Sequence, residues 1–206
     1  MSPLYTGLIL LLPDKLSDEC GIEMSRIKGN KITSKFAFLR DAYGEKMHQE
    51  VLDSMSVVDR AALQMVLETH WYPFELYQRL LVAICKIAGG GDELVYTAIG
   101  RYSAEHAFAT TYKVFLGKSP VDLVKRKMIP MHALRNDPAK MEAVSEAEGH
   151  CVIKIIEPRS TLEICKVMHA FMTRSFELCG GSAVQVREPS CSAKGEPYCQ
   201  YELTWQ

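Results

Sequence analysis

The hydrophobic period of this chain changes once, from about 3.6 residues ahead of residue 130 to 2 beyond it, and that change restricts the folds open to it. In the first stretch Phe36, Phe38, Leu39, Tyr43, Met47 and Val51-Leu52 recur every three to four residues. The spacing predicts helix from Lys35 to Glu68, divided where Ser54 and Ser56 can cap a second segment. Pro73 suits the first turn of a helix carrying Phe74, Leu76, Tyr77, Leu80, Leu81, Ile84 and Ile87, which Gly89, Gly90 and Gly91 stop. Asp92 can cap a longer helix, roughly 93–116, with Val95, Ala98, Ile99, Tyr102, His106 and Ala109 on one face. Ser119-Pro120 opens a short one.

After the change, 141–148 and 151–156 read as a hairpin turning near Gly149, although the Met141 segment also tolerates a helix. A helix over 161–178 ends at Gly180-Gly181, and strands over 183–188 and 198–205 close the chain. The expected fold is α+β, a helical layer on a small antiparallel sheet of ββαββ order. No repeat or linker divides it, so 31–206 reads as one domain, helical over 33–130 and sheet-bearing over 140–206. Residues 1–30 stand apart as a leader or extension. Their apolar run, 6–13, is far short of the ~20 residues of a membrane span and lacks the flanks of a signal peptide.

With 24 Lys+Arg against 25 Asp+Glu the chain has no basic bias, which argues against direct nucleic-acid binding. Seven scattered cysteines, an odd number, point to a reducing compartment, by default the cytoplasm. There is no Gly-x-Ser-x-Gly elbow, P-loop or Rossmann fingerprint, and no histidine or carboxylate pair spaced for a catalytic metal. These absences weigh against an enzyme.

The residues with the most suggestive chemistry lie near the C-terminus. Cys165, Glu188, Cys191 and Cys199 offer three soft thiolates and a carboxylate, a donor set suited to tetrahedral Zn²⁺; four protein ligands leave no open position, so such an ion would be structural. The Gly/Pro turn between Cys191 and Cys199 would bring those two together, and Cys165 would cap them from a helix. The spacing is not the paired Cys-x2-Cys of a zinc finger, and metal-free packed thiols are the alternative. A candidate apolar pocket centres on His106, with Tyr102, Tyr112, Trp71 and Phe74 as walls; the alternative is a core histidine satisfied by a neighbouring carbonyl or hydroxyl. His132 and His150, beside breaks, are expected to face solvent. Cys85 and Cys151 read as core and Cys179 as exposed.

The segment from Gly149 to Trp205, with its helix cysteine, Glu188-x2-Cys191 and a further cysteine eight residues on, resembles the vinyl-4-reductase domain family, which includes bacterial hydrocarbon sensors. Its fold is shared with nitric-oxide signalling and Golgi-transport proteins. The stretch 32–137, through Phe38-Leu-Arg-Asp-Ala-Tyr-Gly-Glu45 and Trp71-Tyr-Pro-Phe-Glu-Leu-Tyr77, is similar to a paralogous family of myxobacteria. The resemblance implies a zinc-stabilised bacterial sensory or carrier domain. It would bind a small hydrophobic or aromatic molecule, dimerise through its helices and signal to a separate output protein. A ligand-free dimeric scaffold and a tetrapyrrole vinyl reductase are the alternatives.

Overall fold

A computed structural model describes residues 25–157 and 160–206. The chain enters through β1 (Arg26–Lys28), which runs directly into α1 (Gly29–Tyr43); α2 (Glu45–Asp53) and α3 (Val57–Gln64) follow. Ser56 caps α3, its Oγ accepting the Asp59 N–H at 3.1 Å. Next come β2 (Trp71–Pro73), α4 (Phe74–Ile87) and α5 (Leu94–Ala109). A short α6 (Pro120–Asp122), capped by Ser119, continues through a π-helical segment, Leu123–Met128, into α7 (Ile129–Ala133). The rest is β3 (Asn136–Asp137), β4 (Lys140–Ala147), β5 (His150–Ile156), α8 (Leu162–Leu178), β6 (Gln185–Ser190) and β7 (Cys199–Thr204).

The strands form two antiparallel sheets. One has the order β2-β1-β3, with Ile27 opposite both Tyr72 and Asn136. The other has the order β4-β5-β7-β6, in which alternate β5 and β7 side chains, among them Cys151, Ile153, Ile155, Cys199, Tyr201 and Leu203, are buried. The fold is thus α+β. The sequence reading missed the first sheet, because strands of two or three residues are too short to express a period.

Two boundaries also move. Residues 1–24 lie outside the described residues, but 25–30 belong to the domain: Ile27 is buried and the Phe74 N–H donates to the Ser25 carbonyl at 2.9 Å. The helix expected over 93–116 ends at Ala109, where Thr110 leaves helical geometry.

Two apolar cores meet along α8. One lies among α1, α2, α4 and α5 and includes Leu39, Leu80, Leu81, Ile84 and Ile99. The other lies between the π segment, α8 and the four-stranded sheet and includes Leu123, Met172, Phe176 and Leu203. Helices α5 and α8 touch closely at Gly100, where a Cβ would fall 2.4 Å from the Val167 carbonyl oxygen and 2.6 Å from the Ala170 Cβ. Only a residue without a side chain allows this approach.

Candidate functional site

Where the two cores meet there is a cavity of about 50 Å³. Its apolar wall comes from Met128 and Met131, from Met141 on β4, and from Ile164, Val167, Met168, Phe171 and Met172 on α8. The polar lining comes from α1, α4, α5 and the 132–136 stretch: Lys31, Lys35, Tyr77, Ser103, His132, Arg135 and Asn136.

These polar groups are deeply buried, with Lys31 9%, Lys35 1%, His132 4% and Arg135 8% exposed. Lys35 Nζ donates to Ser103 Oγ at 2.7 Å and to Ser34 Oγ at 3.1 Å, and Lys31 Nζ to Asn136 Oδ1 at 2.6 Å. Both ammonium groups lie over the Tyr77 ring, at 5.2 and 5.4 Å. The Arg135 guanidinium lies over Tyr112 and Phe171, at 5.0 and 5.7 Å, and its Nε has no hydrogen-bond partner. Neither ring nitrogen of His132 is hydrogen-bonded; Nε2 stands 3.5 Å from Glu157 Oε1.

Burial disfavours the charged forms. It lowers Lys31 to about 8, opposed by the attraction of Glu157 and assisted by Arg135. It holds Lys35 well below the usual lysine range, with Arg135 and Lys31 adding repulsion, and it lowers Arg135 as well.

The second cluster adjoins the cavity on α8. Cys165 in the first turn of that helix places its Sγ 3.5 Å from Cys191 Sγ and 3.8 Å from Cys199 Sγ. Glu188 completes the set, and all four donor atoms lie within 4.8 Å of one another. Sulfurs on a tetrahedral ion with ~2.3 Å bonds would stand roughly 3.8 Å apart. A β-bulge between Arg187 and Ser190 leaves Glu188 out of the β6–β7 ladder, and its Oε1 is buried without a partner. The Cys165 thiol donating to Cys199, with help from Ser192, lowers Cys199 to about 6; the same hydrogen bond, together with burial, pushes Cys165 up. Cys191 is raised by burial.

The structure thus brings Cys165, Glu188, Cys191 and Cys199 together but disperses the expected pocket. Tyr102 and His106 stack on one another at 5.7 Å on the α5 face that turns from the cavity, and Tyr102 donates to Asp41 Oδ2 at 2.5 Å. It is Ser103, one residue on, that faces the cavity. Trp71 lies under Lys28 and Arg26 on β2, and Phe74 packs in the helical core beside a separate polar groove. Tyr112 alone comes near, as the floor beneath Arg135, while its hydroxyl accepts from Asn30 Nδ2 at 2.7 Å.

His132 is buried in the cavity wall and not at the surface, because α7 packs against β4; Cys179 is buried too. Lys31, Lys35 and Arg135 went unnoticed in the sequence, where a lysine or arginine on a helix reads as solvated. Lys31 and Lys35 are an i, i+4 pair flanking the apolar Ile32 and Phe36, which puts them on the edge of the buried face; that was the one available signal.

Among the described residues no helix is long and apolar enough to cross a membrane. No protein-family model and no curated protein matches the chain by sequence. Similarity is found among solved structures. An H-NOX protein from S. oneidensis in the Fe(II)NO ligation state is 14% identical with a TM-score of 0.68, over 87% of this chain and 99% of that one. An oxygen-binding H-NOX domain related to soluble guanylate cyclases, in its oxygen complex, is 14% identical with a TM-score of 0.66, over 87% and 95%. A protein described for haem redox potential and porphyrin distortion is 14% identical with a TM-score of 0.65, over 86% and 99%. At such identities the likeness establishes the fold.

It also corrects two expectations. The vinyl-4-reductase assignment falls, since no family model matches and the similar structures are H-NOX proteins. The Zn²⁺ cofactor inferred with it falls too, because the metal named for these structures is iron. The convergence of the four side chains is a separate, geometric observation.

Proposed function

We propose that this chain is a non-catalytic sensory domain that holds a small molecule in the cavity between its helical part and its sheet. The bound state would pass to a separate output protein. The observation that carries this reading is the cavity itself, which lies where two cores meet and is lined by adaptable methionines and by unsatisfied polar groups. A ligand there would touch α1, the α7–β3 stretch, α8 and β4 together, elements otherwise joined across the cavity by contacts such as Lys31 to Asn136. Filling the cavity would bias their relative packing, and so the outer surface they present. The H-NOX structures, described with nitric oxide and oxygen bound, supply a precedent for ligand sensing on this fold.

Haem is the group those structures imply, and the residues here do not fit it. A cavity of about 50 Å³ is far below the ~300–1,000 Å³ of sites for cofactor-sized molecules. Its single histidine among the described residues, His132, is closed in by Glu157. The reading therefore assigns this chain no haem. Added haemin should leave the free-haemin absorbance unchanged. A sharp, stoichiometric Soret band would replace this reading with a haem sensor.

The general test is thermal stabilisation of the full chain by a panel of small molecules, with a midpoint that climbs with the logarithm of ligand concentration. A protein unresponsive to every compound, yet dimeric at all concentrations, would favour the scaffold alternative.

The convergence of the thiol cluster supports a second assignment. Cys165, Glu188, Cys191 and Cys199, whose donor atoms lie within 4.8 Å of one another across α8 and the C-terminal hairpin, would serve as a ligand set for a thiophilic metal ion. Elemental mass spectrometry of untagged protein, with Cys191→Ser as the control, identifies the ion or its absence.

A further inference from the structure

The cavity holds three basic side chains and, among the described residues, no acid that pairs with them. Among the described residues no carboxylate lies within 4 Å of the Lys31, Lys35 or Arg135 nitrogens, and Glu157, the nearest acid, approaches His132 instead. Formally the cluster carries three positive charges against one negative. Lysine and arginine are almost never buried unless paired, because an isolated ion taken out of water costs several kcal/mol. The hydrogen bonds these groups make go to neutral oxygens, Ser34, Ser103 and Asn136, and Arg135 Nε has no partner. Neutral acceptors orient an ammonium group but do not neutralise it.

The rest of the lining includes Met128, Met141, Met168 and Phe171, with no charge among them, and Phe171 lies under the Arg135 guanidinium. A molecule satisfying both kinds of lining residue carries an acidic group and an apolar part.

The geometry points to a short-chain monocarboxylate as the ligand, its carboxylate set among Lys31, Lys35 and Arg135 and its tail against the methionines. This assignment rests on the reading of the cavity as a ligand site and narrows it, since a purely apolar or aromatic molecule would leave the cations unpaired. At roughly 10–15 Å³ per water-sized group, a cavity of about 50 Å³ admits three to five such groups. That suffices for a carboxylate and the first carbons, and unbranched methionines can shift to seat the remainder.

The test compares sodium butyrate and sodium benzoate with n-butanol and benzyl alcohol, by thermal shift and isothermal titration on the full chain at constant ionic strength. Both carboxylates should raise the midpoint, and each alcohol should bind at least about tenfold more weakly. Lys35→Met should keep its fold, since methionine fills the same space, and lose the carboxylate response; Lys31→Met is the replacement if that variant does not fold. Equal responses to acids and alcohols would overturn the carboxylate assignment while leaving the ligand site intact. No response to any of the four overturns both. An undiminished carboxylate response in both lysine variants would put the bound acid elsewhere and end the proposal, as would stoichiometric haemin binding.

Discussion

The cation cluster of the cavity and the thiol cluster beside the C-terminal hairpin both bury groups that the described residues leave short of partners, yet they are assembled differently. The thiol cluster draws on one helix turn and one hairpin within residues 165–199. The cation cluster draws on α1 and on residues 132–136, about a hundred positions away, and closes only when α7 docks on β4. The first concentrates electron-rich sulfur and carboxylate around a point; the second concentrates positive charge around an opening. The character each would need in a partner is therefore opposite, a soft cation for the first and an anion for the second.

The contrast can be broken first at the thiols. With the proposed ion bound, Cys191→Ser should release it and cost about 3–5 kcal/mol, because Glu188 and the two other thiols would then be left buried without their counter-charge. Metal content together with urea denaturation measures it, and a metal-free wild type losing under about 1 kcal/mol would return the cluster to packed cysteines.

Helix α8 supplies residues to both clusters, so its seat on α5 should matter to both. Gly100→Ala, whose added methyl meets the Val167 carbonyl and Ala170, should cost about 1–3 kcal/mol and weaken ligand and metal binding alike. A variant that lost one kind of binding and kept the other would show that the clusters are independent.

The two clusters should respond to alkaline pH in opposite senses: Cys165 and Cys191, raised by burial, keep a proton that the unfolded chain loses near 9 and so lower stability as pH rises, while the buried lysines raise it. Lys31 titrates at about 8 in the fold and near 10.5 when exposed, so between those values the unfolded chain holds a proton that the folded chain has released, and stability rises with pH. Lys35, lowered by the same burial, adds to the rise; Tyr77, His132, Arg135 and Glu157 are the other ionisable groups facing them. The part due to Lys31 from pH 8 to 9.5 should be on the order of 1 kcal/mol, read as the difference between the wild type and Lys31→Met over that range, while affinity for benzoate falls over the same range. Urea midpoints at the two pH values, with and without benzoate, separate the two trends. Smallest of all is His106→Ala, which should leave benzoate affinity unchanged within about twofold, since His106 turns from the cavity; a larger loss by titration would restore the pocket expected around it.

Much of the fold was legible along the chain, because its longer elements carry their own signals. The caps at Ser56 and Ser119, the apolar face from Phe74 to Ile84 and the alternation from Cys199 to Trp205 are local, and each forms as the spacing implies. The four sulfur and carboxylate donors were legible for the same reason, since a turn of eight residues sets the distance between Cys191 and Cys199. The family and cofactor drawn from that spacing were not, for one spacing is compatible with more than one family.

What the sequence determined by itself was therefore local: where the period of 3.6 gives way to 2, where helices start and stop, and which cysteines can meet. Tertiary structure alone decided that Lys31, Lys35, His132 and Arg135 face inward around a cavity while His106 and Tyr102 do not. The reason is physical. Whether a polar side chain on the margin of a helix meets water or another core depends on which surface packs against that margin, and that surface comes from a distant part of the chain.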